Sequence, residues 1–204
     1  MGRNIVSLPM LFKKNRSRFD ERWSSAWGMH RLFVAIRPPE TVREQLLDLM
    51  EGMPDMRWQS DDQLHLTLRF IGEVERPAAE DLATALQHVR FDRISMALDG
   101  VGKFEKHRNG ALWAGVTPRD QLKSLNAKVE RACQSAGLEP ERRAYLPHIT
   151  LARWKGKAHR LDAWLERHGG LTSEPWEAEE FILYESQLAR EGAHYEAIER
   201  FPLS

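Results

Sequence analysis

The chain states one pattern twice, and that repetition limits the folds open to it. Leu32-Phe-Val-Ala-Ile-Arg-Pro-Pro-Glu40 has a counterpart in Leu112-Trp-Ala-Gly-Val-Thr-Pro-Arg-Asp120, 80 positions later. Each copy is a short apolar strand, then proline, then an acidic residue, then a helical pattern. Pro38 aligns with Pro118 and Glu40 with Asp120. Proline and acid both suit a helix N-terminus, where N–H groups lack partners and the dipole is positive. The helices after them are expected over roughly Glu40–Met50 and Pro118–Ala136. Leu46, Leu49 and Met50 in the first, and Leu122, Leu125 and Val129 in the second, recur at helical spacing.

A second repeat comes in the same order. His65-Leu-Thr-Leu68 returns as His148-Ile-Thr-Leu151, 83 positions on. With 8 His, 6 Thr and 24 Leu in 204 residues, chance recurrence of this string is rare. A duplicated half with a pseudo-twofold axis between the copies explains it better. The remaining elements are coarser: a helix over Arg76–Val89, a strand over Ile94–Leu98, and a helix over His159–His168 ended by Gly169-Gly170. Two late strands, Phe181–Leu188 and His194–Phe201, lie around Gly192. The order predicts an α+β sandwich of two sheets with helices outside.

Alternation then assigns faces. In a strand, residues i and i+2 share a face. Leu64, Leu66, Leu68 and Phe70 are expected in the core, with His65, Thr67 and Arg69 opposite. In the second copy, Leu146, Ile149 and Leu151 are the apolar set, with a slip at Pro147, while His148 and Thr150 share the polar face. If the copies meet at the axis, one cleft receives two imidazoles and two hydroxyls. Histidine can give or take a proton near neutrality, and two of them can divide the work of acid and base. Threonine hydroxyls can donate to phosphate oxygens. An isolated His-x-Thr would be read as an ordinary half-buried strand; the doubled one points to phosphoryl chemistry.

Composition narrows the partners. Thirty Lys and Arg balance 30 Asp and Glu, so no broad basic surface coats nucleic acid, and any contact is a local patch. His-x-Thr gives one good ligand per strand and no acidic cluster joins it, so no metal is expected. One cysteine, Cys133, cannot form an internal disulfide, which fits a reducing cytoplasm, and its helical setting reads as packing. No apolar run approaches the ~20 residues that span a bilayer. Residues 1–28 carry six Lys and Arg against two acids. They read as a disordered extension, or as sequence upstream of the real start at Met29. The domain is expected over 29–204. The alternative for the extension is a basic tail that recruits RNA.

These residues resemble the two-histidine phosphoesterase superfamily, in particular its RNA 2′,3′-cyclic phosphodiesterase branch, also called the 2′-5′ RNA ligase family. "RLFVAIRPP", "RWQSDDQLHLTLRFIGEV", "VGKF" before "LWAGV", and "PHITLAR" carry the likeness from Met29 to the C-terminus. The resemblance implies a bilobal, pseudo-symmetric α+β fold whose antiparallel sheets form a central cleft with helices outside. It also implies hydrolysis of a terminal 2′,3′-cyclic phosphate to a 2′-phosphomonoester by a monomer, without cofactor, with 2′-5′ ligation as the reverse reaction. RNA ends, tRNA fragments among them, would be the substrate. It makes His65 and His148 the catalytic pair, and Thr67, Thr150 and Arg153 the phosphate ligands. Strict alternation sets Arg153 on the core side, opposite His148, and leaves Arg69 in phase with a histidine. Either a bulge near Ala152 turns Arg153 in, or Arg69 serves instead; the motif favours Arg153. Phe104 is a candidate for stacking on the terminal base. Trp113 and Trp58 read as packing, and Lys103, His107 and Arg108 as a basic lip or a solvated loop. The rival functions are a non-catalytic RNA-end or nucleotide-binding module, and a cyclic phosphodiesterase for a small nucleotide.

Overall fold

In the computed structural model, which describes residues 28–107, 109–189 and 192–204, nine strands and four helices alternate along the chain. The first half runs β1 (Met29–Ile36), α1 (Glu40–Leu49), β2 (Arg57–Trp58), a 3-10 turn (Asp61–Gln63), β3 (Leu66–Glu75) and α2 (Arg76–Leu86). The second runs β4 (Ile94–Lys106), β5 (Asn109–Thr117), α3 (Arg119–Ser135), β6 (His148–Lys155) and α4 (Leu161–His168). It closes with β7 (Trp176–Ala178), β8 (Glu180–Ala189) and β9 (Gly192–Pro202). The basic stretch 1–27 and Arg108 lie outside the described residues.

The strands form one hydrogen-bonded path, β7-β4-β5-β6-β3-β1-β8-β9, with β2 on β6, and the pairings are antiparallel. The two sheets expected from element order are joined into one, and the lobes that the resemblance implies are its two halves. They meet between β3 and β6, where Leu66 pairs with Ile149. The helices start where predicted: Pro39 and Pro118 occupy the caps of α1 and α3, with Glu40 and Asp120 in the first turns.

The main core lies between the sheet and the helices. Leu32, Val34, Ile36, Leu64, Leu66 and Leu68 bury against Leu46 of α1, Leu82 and Leu86 of α2, and Leu122, Leu125 and Val129 of α3. Each such side chain taken out of water contributes roughly 1.5–3 kcal/mol. A small second cluster occupies the other face: Phe33, Ala35, Ile182 and Tyr184, with Tyr195 packed against it. β1 therefore buries both of its faces, which is why its sequence, Leu-Phe-Val-Ala-Ile, shows no polar alternation.

Phe70 departs from the expectation. It is 41% exposed and pairs with Phe33, not with a core-side residue. The β1–β3 register slips twice, skipping Leu68 and then Ile71. Each skipped residue reverses the phase of the strand beyond it. Val34, a core residue, pairs with Arg69, and Phe33, on the other face, pairs with Phe70.

Candidate active site

His65 is the residue before β3 and His148 is the first residue of β6. Continuing the Leu66–Ile149 register sets Thr67 across from His148 and Thr150 across from His65. Leu66 and Ile149 point to the core, so the four neighbours point the other way, into the cleft. All four are half-buried.

Both imidazoles are held in the same manner. His65 Nδ1 lies 2.7 Å from the Gln63 carbonyl, and His148 Nδ1 lies 2.6 Å from the Leu146 carbonyl. A carbonyl oxygen accepts only, so each Nδ1 carries the hydrogen. Each neutral ring then presents the lone pair of Nε2. The anchor of His65 is itself fixed. Gln63 closes a capping box with Ser60 across the 3-10 turn, and its side chain donates to the Ala193 carbonyl at 2.8 Å.

The environment disfavours the charged form of both rings. Burial pushes the His65 imidazole down to about 4, against the raising effect of its carbonyl bond, and the charges of His148, Arg153 and Arg37 push the same way. His148 is lowered by burial and by Arg153, again against its carbonyl bond. Arg153 is thus the cation felt by both histidines.

A bulge decides which arginine faces the cleft. Between β5 and β6, Trp113 pairs with Thr150 but Leu112 pairs with Ala152, so Leu151 is skipped. Leu151 and Ala152 are both buried, and Arg153 rejoins the face of His148 and Thr150. Arg69 is carried the opposite way by the slip at Leu68. Its Nε donates to Glu130 of α3 at 2.6 Å, and its Nη2 donates to the carbonyl of Glu139, beyond the end of that helix, at 2.6 Å. Of the two arginines that alternation left open, Arg153 stands by the histidines and Arg69 ties β3 to α3.

Aromatic rings flank both histidines. The Phe33 ring lies 4.8 Å from His65, and Tyr195 meets it edge-on at 5.3 Å. Phe104 meets His148 edge-on at 5.0 Å, and Trp113 lies 6.1 Å from it. Trp113 was expected in the core; it faces the cleft, because it pairs with Thr150. The repeat held the signal, since Phe33 and Trp113 are equivalent positions of the two copies. Trp58 packs against Trp164 as expected. Lys103 pairs with Leu112 on the core face and bonds Asp162 of α4 and Glu105, so it forms no cleft lip. His107 is an exposed turn residue at positive φ. Arg57, missed in the sequence, sits beside Arg153 in the β2–β6 pairing. Among the described residues, no three His, Cys, Asp or Glu side chains gather as a metal would require.

The 2′-5′ RNA ligase superfamily model matches residues 33–190. An Aeropyrum pernix protein named RNA 2′,3′-cyclic phosphodiesterase is 36% identical over 152 residues, covering 72% of this chain and 85% of its own. Its Escherichia coli namesake is 30% identical over 185 residues, covering 85% and 97%. The crystal structure of E. coli LigT complexed with 3′-AMP superposes with a TM-score of 0.71 at 27% identity, over 86% of this chain and 99% of that one. The structure of TT0787 from Thermus thermophilus gives 0.70 at 28% identity, over 85% and 97%. The chain belongs to the 2′-5′ RNA ligase superfamily of two-histidine phosphoesterases.

Proposed function

We infer that this protein hydrolyses RNA 2′,3′-cyclic phosphate ends to 2′-phosphomonoesters. The observation that carries the reading is the matched pair of imidazoles, each bonded through Nδ1 to the carbonyl two residues before it and each offering Nε2 to one cleft. The names of the relatives supply the substrate class.

Water attacks phosphorus in line with the bond to the ribose 3′ oxygen. One imidazole accepts the water proton at Nε2. The other, protonated, gives its proton to the departing 3′ oxygen. One P–O bond forms as one breaks, and no external acid or base is consumed. His65 has the more depressed pKa and is the base; His148 is the acid. Thr67 and Thr150 donate to the non-bridging oxygens, and the Arg153 guanidinium neutralises their charge as the transition state forms. Phe104, 42% exposed beside His148, offers a face to the terminal base. With the 5′-hydroxyl of a second RNA end in place of water, the same in-line opening forms a P–O5′ bond as the P–O3′ bond breaks and leaves a 2′-5′ phosphodiester. Both histidines come from one chain, so we extend the reading to a monomer acting on RNA ends such as those of tRNA fragments. A cytoplasmic setting belongs to the same reading, since the lone cysteine, Cys133, can form no internal disulfide.

The test is turnover of a short RNA ending in a 2′,3′-cyclic phosphate, in EDTA, by the wild type, His65→Ala and His148→Ala. A 2′-phosphate product, lost in both variants, is expected. Binding of the RNA end without turnover would replace the reading with that of a binding module.

A further inference from the structure

Beyond the terminal phosphate, the cleft face of the first lobe carries an aromatic surface that the reaction does not use. Phe70 is one of the few large apolar side chains that are exposed, at 41%. The register slip at Leu68 puts it on the cleft face, paired with Phe33. The Phe33 ring in turn touches His65 at 4.8 Å and stacks on Tyr184 at 5.1 Å. The aromatic floor thus runs from His65 through Phe33 to Phe70, along β1 and β3 and away from His148. At its far end the Arg31 guanidinium sits over the Phe70 ring, 5.3 Å from its centroid.

The guanidinium covers part of the ring and is itself a flat cation, so a nucleobase has the exposed remainder of Phe70 and the plane of Arg31 to stack on, by π contact and by cation–π attraction. Glu73 is opposite Arg31 in the register, so the local charge is close to balanced and phosphate attraction is weak there. Stacking therefore dominates, and stacking tolerates any base. The terminal nucleotide places its phosphate between His65 and His148. Its base has Phe104 and Trp113 on the second lobe. With the terminal base on the second lobe, the aromatic surface of the first lobe is left for the strand leading away in the 5′ direction.

Resting on the functional reading above, we propose that Phe70, capped by Arg31, is a stacking site for a nucleotide upstream of the cyclic phosphate, so that the enzyme selects oligoribonucleotides over mononucleotides without selecting their sequence.

The experiment compares kcat/KM for an oligoribonucleotide 2′,3′-cyclic phosphate and for a nucleoside 2′,3′-cyclic phosphate, in the wild type, Phe70→Ala and Phe70→Trp. The wild type should favour the oligonucleotide. Phe70→Ala should lose about fivefold or more on it and nothing on the mononucleotide, and Phe70→Trp should keep the preference. The mononucleotide rate shows that the variant is folded and its histidines intact. Equal loss on both substrates, or no loss on either, overturns the stacking site while leaving the reaction standing. A wild type that turns over neither substrate overturns the functional reading, and the site falls with it.

Discussion

Leu66 of β3 pairs with Ile149 of β6, and this contact aligns the two halves of the site. Both side chains are buried in one core, so the residues on either side of each are forced into the cleft. The two histidines are thereby parts of one machine. Removing either imidazole should cost about 10²- to 10⁴-fold in kcat. The double variant should be scarcely worse than the more damaged single one, because the second group has no step left to serve. Single-turnover kinetics of His65→Ala, His148→Ala and the pair would measure this. Losses that multiply would mean that the histidines act independently.

The depressed pKa values set the pH dependence. Catalysis needs one imidazole neutral and the other protonated. His65 is held down to about 4 and His148 below its usual value. The productive mixed state is lost at low pH as His65 gains a proton, and at high pH as His148 loses one. The bell for kcat/KM should therefore be centred on the acid side of 6.5. Bound phosphate is an anion and favours both imidazolium forms, so the kcat profile should peak at higher pH. A pH series of both parameters in EDTA tests the order of the two optima.

Arg153→Gln separates charge from structure. Arg153 is exposed and lowers both histidines. Without it both imidazolium forms become easier to keep, so the acid limb of the kcat/KM profile should move to higher pH. The rate at the optimum should fall, since the phosphate loses its fork of donors. Denaturation by urea should be nearly unchanged.

Arg69→Gln should give the reverse. Arg69 and Glu130 are 10% and 17% exposed at 2.6 Å, and removing the guanidinium takes the donor from Glu130 Oε2 while Oε1 keeps Gln134 and the Glu141 N–H. A loss of about 2–3 kcal/mol is expected by urea denaturation, with kcat and its pH profile close to the wild type. A collapse in kcat at full stability would move Arg69 into the site.

These two arginines also mark how far the sequence could be read. The repeat, the helices with their proline and acid starts, the cleft histidines and threonines are all legible from periodicity, because strand phase and helix phase are local. A bulge is one unpaired residue in a register between strands far apart in sequence, such as Leu68 against β1 or Leu151 against β5. Nothing in the local pattern announces it. It sent Phe70 out of the core, turned Arg69 to α3 and brought Arg153 to the histidines. Trp113 and Phe33 were hidden for a related reason: a ring lining a cleft and a ring lining a core have the same neighbours in sequence. β2 and β7, of two and three residues, are too short to show any period.

The Trp113 shelf beside His148 depends on a glycine across the strand. Gly102 pairs with Trp113, and a Cβ built on Gly102 would lie 2.3 Å from the nearest atom of the indole. That atom belongs to the rigid ring, so the ring itself must move. Gly102→Ala should cost about 1–3 kcal/mol of stability and raise KM for the cyclic phosphate, since the displaced indole no longer lines the floor beside His148. In a Gly102→Ala/Trp113→Leu double variant the clash is gone, and the alanine should cost almost no further stability than Trp113→Leu does alone. Urea midpoints for the four proteins close the cycle. Full additivity would show that Gly102 serves the backbone and not the ring.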